Sequence, residues 1–268
     1  MRLKYASKTD LGKKYDHNED YFLIPNSKNN IVDLTANRAA HFILCDGMGG
    51  AKAGEVASQL CAKQLNKIIE ELLPTNHSWR NIGKDVTGKR EVKSLNIKIQ
   101  KAIETTNKNI YELSQKHEQY HGMGTTLVAA VFFENNLLLY SIGDSRCYRL
   151  RDRELTQLTE DQSVVWQLYK SGAITKDEIR FHPGNNIITM SLGTTPEIEI
   201  NSYEFDFRVG DVFLMCSDGL TDIISDTEIR NFLNNRRYIE KTCQQLVTSD
   251  LQEGGKDNIT VILVEIFE

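Results

Sequence analysis

The stretch TTLVAAVFFENNLLLYSIGD, from Thr125 to Asp144, sets two apolar runs on either side of Glu134-Asn135-Asn136. A connection that short closes an antiparallel hairpin, because a parallel crossover needs a dozen residues or more. The centre of the chain is therefore committed to antiparallel order. SRCYRLRD follows through a short turn around Gly143 and reads as the next strand of the same hairpin series. Further strands are predicted at 2–7, 20–24 and 40–45, and within RVGDVFLMCSDG and DNITVILVEIF.

Between these runs the apolar period changes from two to that of a helix. Val56, Leu60, Leu65, Ile68, Ile69 and Leu72 share one face over 54–73, and Leu73-Pro74 stops that helix. A second helix is predicted over about 92–117, with Leu95, Ile99, Ala102, Ile103, Ile110 and Leu113 in its stripe. Two more are predicted at 226–234 and 238–251, and the polar stretch 75–91 reads as an exposed connection. There is no internal repeat, low-complexity tract or linker, so residues 1–268 read as a single domain. Its class is α/β (α+β): two stacked, largely antiparallel sheets with helices outside.

Charge and cysteine use narrow the partners. A net charge of −5 with no strongly basic segment argues against nucleic acid. No run approaches the roughly 20 apolar residues of a membrane span, and MRLKYASKTD lacks the apolar stretch of a signal peptide. The five cysteines are scattered and form no C-x-x-C pair, which fits reduced thiols in a cytoplasmic protein.

The acids are more informative. Asp46 follows HFILC, Asp144 follows LLLYSIG, Asp218 follows VFLMCS, and Asp257 precedes NITVILV. Each stands at the end of an apolar strand, close to glycine, and Glu19-Asp20 stands just before YFLI. If the strands share one sheet system, these carboxylates converge at one rim. Converging carboxylates repel unless cations neutralise them. All-oxygen ligation selects Mg²⁺ or Mn²⁺ over zinc, and no D-x-D-x-D-G loop points to calcium. The phosphate loop G-x-x-x-x-G-K-[ST] and the G-x-S-x-G elbow are absent. A paired hard-metal centre activates water and clamps an oxygen-rich substrate, typically a phosphate ester.

The segments HNEDYF, LCDGMGGAKAGEVAS, GMGTTLVAA, IGDSRCYRL, LTEDQS, HPGNNIITMSLG, CSDGLTD and GGKDNITVILV, in this order, resemble the metal-dependent Ser/Thr protein phosphatases of type 2C, the PPM family. They span about residues 5 to 266, and the GMGG form is similar to the compact bacterial branch. The resemblance implies a four-layer αββα sandwich, two antiparallel sheets flanked by helix pairs, with a mobile flap over 162–186. It implies that Asp46 bridges two metals, that Gly47 lends its carbonyl to one of them, and that Asp218 and Asp257 are the remaining direct ligands. Glu19 and Asp20 match acids that hold metal-bound waters. Asp144, with Asp218, matches the ligands of a third, weaker ion. The implied reaction is hydrolysis of phosphoserine and phosphothreonine by in-line attack of a metal-activated water. Asp46, Asp218 and Asp257 are its catalytic set, the cofactor is Mn²⁺ or Mg²⁺, and the partners are phosphorylated proteins and an opposing Ser/Thr kinase.

Plainer readings of these residues stand beside this one. Asp257 reads also as a turn acid, Asp144 as an ion-pair partner of Arg146, and Glu19 as a solvated surface acid. Gly124, Thr125 and Thr126 read as packing and turn residues. The chain also departs from the family pattern. Tyr15 stands where an arginine usually grips the phosphate, which leaves Lys13, Lys14 or His17 to recover part of that grip. Gln162 replaces a usual histidine, and Met190 falls where a basic residue is common. Met48, where many eukaryotic members carry histidine, has no proton to give the leaving group. A catalytically weak relative that binds phosphoproteins as a regulator is therefore the alternative function.

Overall fold

The protein, represented by a computed structural model, is described over residues 1–49, 53–73 and 88–268. In chain order the strands are β1 (Arg2–Asp10), β2 (Asp20–Leu23), β3 (Ile31–Asp33), β4 (Ala39–Met48), β5 (Gly124–Thr125) and β6 (Leu127–Phe133), then β7 (Asn136–Ile142), β8 (Arg146–Arg151), β9 (Glu154–Gln157), β10 (Asn201–Asp206), β11 (Val212–Cys216) and β12 (Ile259–Phe267). The helices are α1 (Leu34–Asn37), α2 (Ala53–Leu72), α3 (Gly88–Lys116), α4 (Val164–Lys170), α5 (Asp218–Ile223), α6 (Asp226–Asn234) and α7 (Ile239–Gln252).

One sheet runs β3-β1-β12-β11-β8-β9 and the other β10-β7-β6-β4-β2, with β5 paired to the end of β4. All the strand pairs are antiparallel. The central strands are apolar on both faces because both faces are covered. On β4, Phe42 and Leu44 point between the sheets, while Ile43 and Cys45 point to α2 and α3. On β12, Ile262 and Val264 point between the sheets, while Val261 and Leu263 meet α5, α6 and α7. The four expected layers are therefore present. Aromatic edges lock the inner layer: Phe132 meets Phe42 at 5.7 Å and Phe213 at 5.3 Å between ring centroids. All five cysteines are buried and free of disulfides. Among the described residues, no helix is long and apolar enough to cross a membrane.

Three expectations change. The turn at Gly143 does not continue a hairpin series, since β7 and β8 belong to different sheets. Gly143, at φ +91°, carries the chain across the sandwich. The edges of β8 are then taken by β11 and by β9, through a tight turn in which Asp152 and Arg153 both have positive φ. Second, β4 does not stop before Asp46 but runs through Met48, because Gly47 and Met48 pair with β5. Third, the second long helix begins at Gly88, inside the stretch expected as a connection. Residues 75–87 of that expectation lie outside the described residues.

Candidate active site

The register of β2 on β4 sets Asp20 directly opposite Asp46. Cross-strand partners project to the same face, and like charges in that position destabilise a sheet. Asp20 is buried, and its Oδ2 accepts a 2.8 Å hydrogen bond from Ser217 Oγ at the start of α5. Ser217 Oγ in turn accepts from Thr260 N of β12 at 3.0 Å. This chain of bonds ties one sheet to the other at the rim. Next in sequence to Ser217 is Asp218, the first residue of α5.

Glycines bring the backbones together. A Cβ on Gly47 would stand 2.1 Å from the Gly54 carbonyl oxygen, and one on Gly54 would stand 2.7 Å from the Glu19 carboxyl carbon. Glu19 therefore lies over the first turn of α2. A Cβ on Gly12 would stand 2.2 Å from the Asp257 carbonyl oxygen, so the loop after β1 packs on the loop before β12. Asn258 fastens the two loops. Its Oδ1 accepts from Glu19 N at 2.7 Å, and its Nδ2 donates to the carbonyls of Leu11 at 2.8 Å and His17 at 3.1 Å.

The electrostatics record the convergence. Asp46 is pushed well above the usual carboxylate range, first by burial, then by Asp20, Asp218, Asp144 and Asp257. Burial is also the first cause at Asp20, raised to about 7, with Asp218 and Asp257 adding to it against hydrogen bonds from Thr260 and Ser217. Asp218 is raised to about 7 by burial, then by Asp222 and Asp257. Glu19 is raised to about 7 by burial, then by Asp257, Glu55 and Asp20. Burial also leads at Asp257 and Asp144, both raised. Asp46, Asp20, Asp218, Asp257, Glu19 and Asp144 thus belong to one charge system.

Arg146 makes its ion pair with Asp161, while burial raises the pKa of Asp144 and the charge of Arg146 lowers it. Its guanidinium grips Asp161 through Nε at 2.9 Å and Nη2 at 2.6 Å, and it bonds Tyr148 Oη at 3.1 Å. Thr125 and Thr126 do more than pack. Asp46 N donates to Thr126 Oγ1 at 3.0 Å, and Thr125 Oγ1 donates to the Asp46 carbonyl at 2.9 Å. At the rim, Lys14, Tyr15 and His17 are exposed. Lys14 donates to Tyr15 Oη and is drawn by Asp257, while His17 contributes its carbonyl to Asn258.

Several site residues were not singled out by the sequence. Asp222 lies one turn after Asp218 on α5, and burial first, then Asp257 and Asp161, raise it to about 6 against the pull of Arg146. The i, i+4 spacing in SDGLTD was its available signal. Ser217 and Asn258 carry no such signal, because their roles depend on which strands become neighbours. Beyond Asp222, a cavity of about 280 Å³ runs between α5 and the segment over 162–186, lined among others by Asp144, Asp222, Lys176 and Arg180.

The donors suit a hard divalent cation. They are all oxygens, and Asp20 Oδ1 is buried with no hydrogen-bond partner. Among the described residues, no ion pair engages Asp20, Asp46, Asp144, Asp218 or Asp257. Also among the described residues, no three acid, imidazole or thiol side chains close on a common point as a finished cage. Within the rim, the Asp46 and Asp218 side chains are close enough to share a hydrogen bond.

Comparison with known proteins agrees with this picture. The family model for protein phosphatase 2C matches residues 16–259. The serine/threonine phosphatase stp of Listeria monocytogenes is 34% identical over 258 residues, covering 96% of this chain and 94% of that protein. The crystal structure of the Mycobacterium tuberculosis serine/threonine phosphatase PstP/Ppp superposes with a TM-score of 0.82 at 33% identity, over 100% of both chains. The catalytic domain of PstP in complex with two manganese ions superposes with a TM-score of 0.79, also at 33% identity, over 100% of this chain and 99% of that one. Sharing its sandwich and nearly its whole length with these relatives, the chain belongs to the protein phosphatase 2C (PPM) family of serine/threonine phosphatases.

Proposed function

We propose that residues 1–268 form one catalytic domain that hydrolyses phosphoserine and phosphothreonine in proteins at a paired Mn²⁺ or Mg²⁺ centre. The observation that carries this reading is the set of repelling carboxylates, Asp20 buried and Asp46, Asp218 and Asp257 part-buried, engaged by no ion pair among the described residues. Asp46, Asp218, Asp257 and the Gly47 carbonyl are the direct ligands in this proposal. Glu19 and Asp20 orient water around the pair, and Asp144 serves a third, weaker ion. When bound, the ions supply charge neutralisation for the phosphate and lower the pKa of an attacking water. The manganese-bound PstP relative supports the choice of metal.

The chain's own residues do the positioning. Ser217 holds one oxygen of Asp20 and leaves the other unpartnered. Asn258 holds the loop of Lys14, Tyr15 and His17 beside Asp257, where a phosphate draws on an ammonium and a phenol. The chain acts in the cytoplasm on phosphoproteins made by an opposing Ser/Thr kinase. Phosphate release from a phosphothreonine peptide, measured with Mn²⁺ and with excess chelator, tests the reading. Strong release with Mn²⁺ and none with chelator is expected. Equal release in both ends the metal-centre proposal, and none in either favours a phosphoprotein-binding regulator.

A further inference from the structure

Gln162 sits at the foot of the 162–186 segment, and its polar groups face backbone. Its Oε1 accepts from Gly143 N at 2.9 Å, and its own N donates to the Gly143 carbonyl at 2.8 Å. Its Nε2 donates to the Glu199 carbonyl at 2.9 Å, and its carbonyl accepts from Thr189 N at 2.7 Å. The two arms of the segment meet beside it, through Val164 N to the Ile187 carbonyl at 2.9 Å and a bridge between Ser163 and Ile188. One residue thus clamps both the base of this segment and the glycine that precedes Asp144.

That glycine has little freedom. Gly143 has φ +91°, and a Cβ there would stand 2.7 Å from Thr126 Cγ2. Thr126 Oγ1 meets Ser145 Oγ at 2.8 Å and accepts from Asp46 N at 3.0 Å. Asp144 therefore leaves a turn fixed on one side by Gln162 and on the other by the strand that carries Asp46.

We propose that Gln162 is a positioning residue for Asp144, aiming its carboxylate at the weak-ion position and coupling that position to the base of the segment. The inference rests on the proposed ligand role of Asp144. Contact with both backbone groups of Gly143, its N–H through the Gln162 side chain and its carbonyl through the Gln162 backbone, grips the two peptide units that flank this residue and fixes both the height and the rotation of the turn. A neutral histidine also carries one acceptor and one donor, but on opposite sides of a rigid ring, whereas glutamine carries both on one amide that here reaches Gly143 N and the Glu199 carbonyl.

The test uses Gln162→Met, which keeps length without polar atoms, Gln162→Glu, which keeps the acceptor for Gly143 N, and Asp144→Asn. Bound Mn²⁺ is counted by electron paramagnetic resonance in titrations of the full-length protein, alongside the Mn²⁺ dependence of phosphatase activity. Gln162→Met is expected to weaken the weakest ion by about tenfold, the scale of one lost hydrogen bond, with the tight ions unchanged. The Mn²⁺ concentration for half-maximal activity should rise in step, with kcat recovered at saturation, and Gln162→Glu, which keeps the acceptor for Gly143 N but loses the donor to the Glu199 carbonyl, should fall between wild type and Gln162→Met. A lower melting temperature with an unchanged weak ion overturns the proposal, as does equal loss of tight and weak ions or a Gln162→Glu variant as impaired as Gln162→Met. If Asp144→Asn weakens that ion and Gln162→Met does not, the positioning role alone fails. If Asp144→Asn leaves it intact, the ligand role of Asp144 fails and the positioning role falls with it.

Discussion

Asp20 and Asp46 face each other as direct cross-strand partners, two carboxylates on one face of adjacent strands. In the metal-free protein Asp20, Glu19 and Asp218 hold protons up to about pH 7, whereas free carboxyls release them near pH 4. Between those values the folded state binds more protons than the unfolded one, so stability falls as pH rises. We expect the melting temperature of metal-free protein to drop from pH 5 to 7 and level off above. Mn²⁺ competes with those protons, so its stabilising effect should grow over the same window. Asp46→Asn should melt higher than wild type at pH 8 without metal and gain less from Mn²⁺. Scanning calorimetry with and without Mn²⁺ checks each point, and a metal-free melting temperature rising through this window contradicts it.

Asp218→Asn keeps shape and removes charge. Mutating the outer partners of a metal ligand typically costs 10- to 100-fold, and a direct ligand should cost more. Turnover is expected to fall by at least about 100-fold, with the far-ultraviolet circular dichroism spectrum intact. Isothermal titration with Mn²⁺ should show weakened binding, and wild-type affinity would remove Asp218 from the ligand set.

Lys14 covers the ring of its neighbour Tyr15 at 4.5 Å and donates to its Oη at 2.7 Å. A phenol offers a phosphate one neutral hydrogen bond, whereas a guanidinium offers two charged ones. Tyr15→Arg should therefore lower KM for p-nitrophenyl phosphate by about tenfold and leave kcat nearly unchanged. Lys14→Gln should raise KM. Steady-state kinetics at saturating Mn²⁺ separate these effects, and unchanged KM in both variants places the phosphate away from this loop.

Asn258→Ala removes the bonds to Glu19 N and to the carbonyls of Leu11 and His17. At about 1 kcal/mol each, the loss is roughly 3 kcal/mol, or about 6–12 °C in melting temperature. Faster hydrogen exchange should be confined to residues 11–20. A melting temperature within 1–2 °C of wild type would show that the loops hold without it.

The sequence made the strands and the acids legible to different depths. Phe42-Ile43-Leu44-Cys45 announces a strand because both its faces are covered. The crossing at Gly143 was not legible, because a hairpin turn and a step between sheets can be equally short, and the choice rests on which edge of β8 is filled. The acids could be nominated from strand ends and glycines. Ser217 and Asn258 could not, because polar residues next to an acid are ordinary until the folded chain sets Asp20 or Leu11 beside them. Met190 is half-buried against the helix-side core, and no further reason emerges for its place there.

Asp20 and Asp46 come from one sheet, and Asp218 and Asp257 adjoin strands of the other. Each sheet therefore carries only part of the charge set, and the full repulsion exists only where the two sheets meet. A divalent ion that draws on acids from both sheets adds its binding energy only to the arrangement in which the two are seated together, so the same ion that serves the chemistry also fastens the sandwich at its rim.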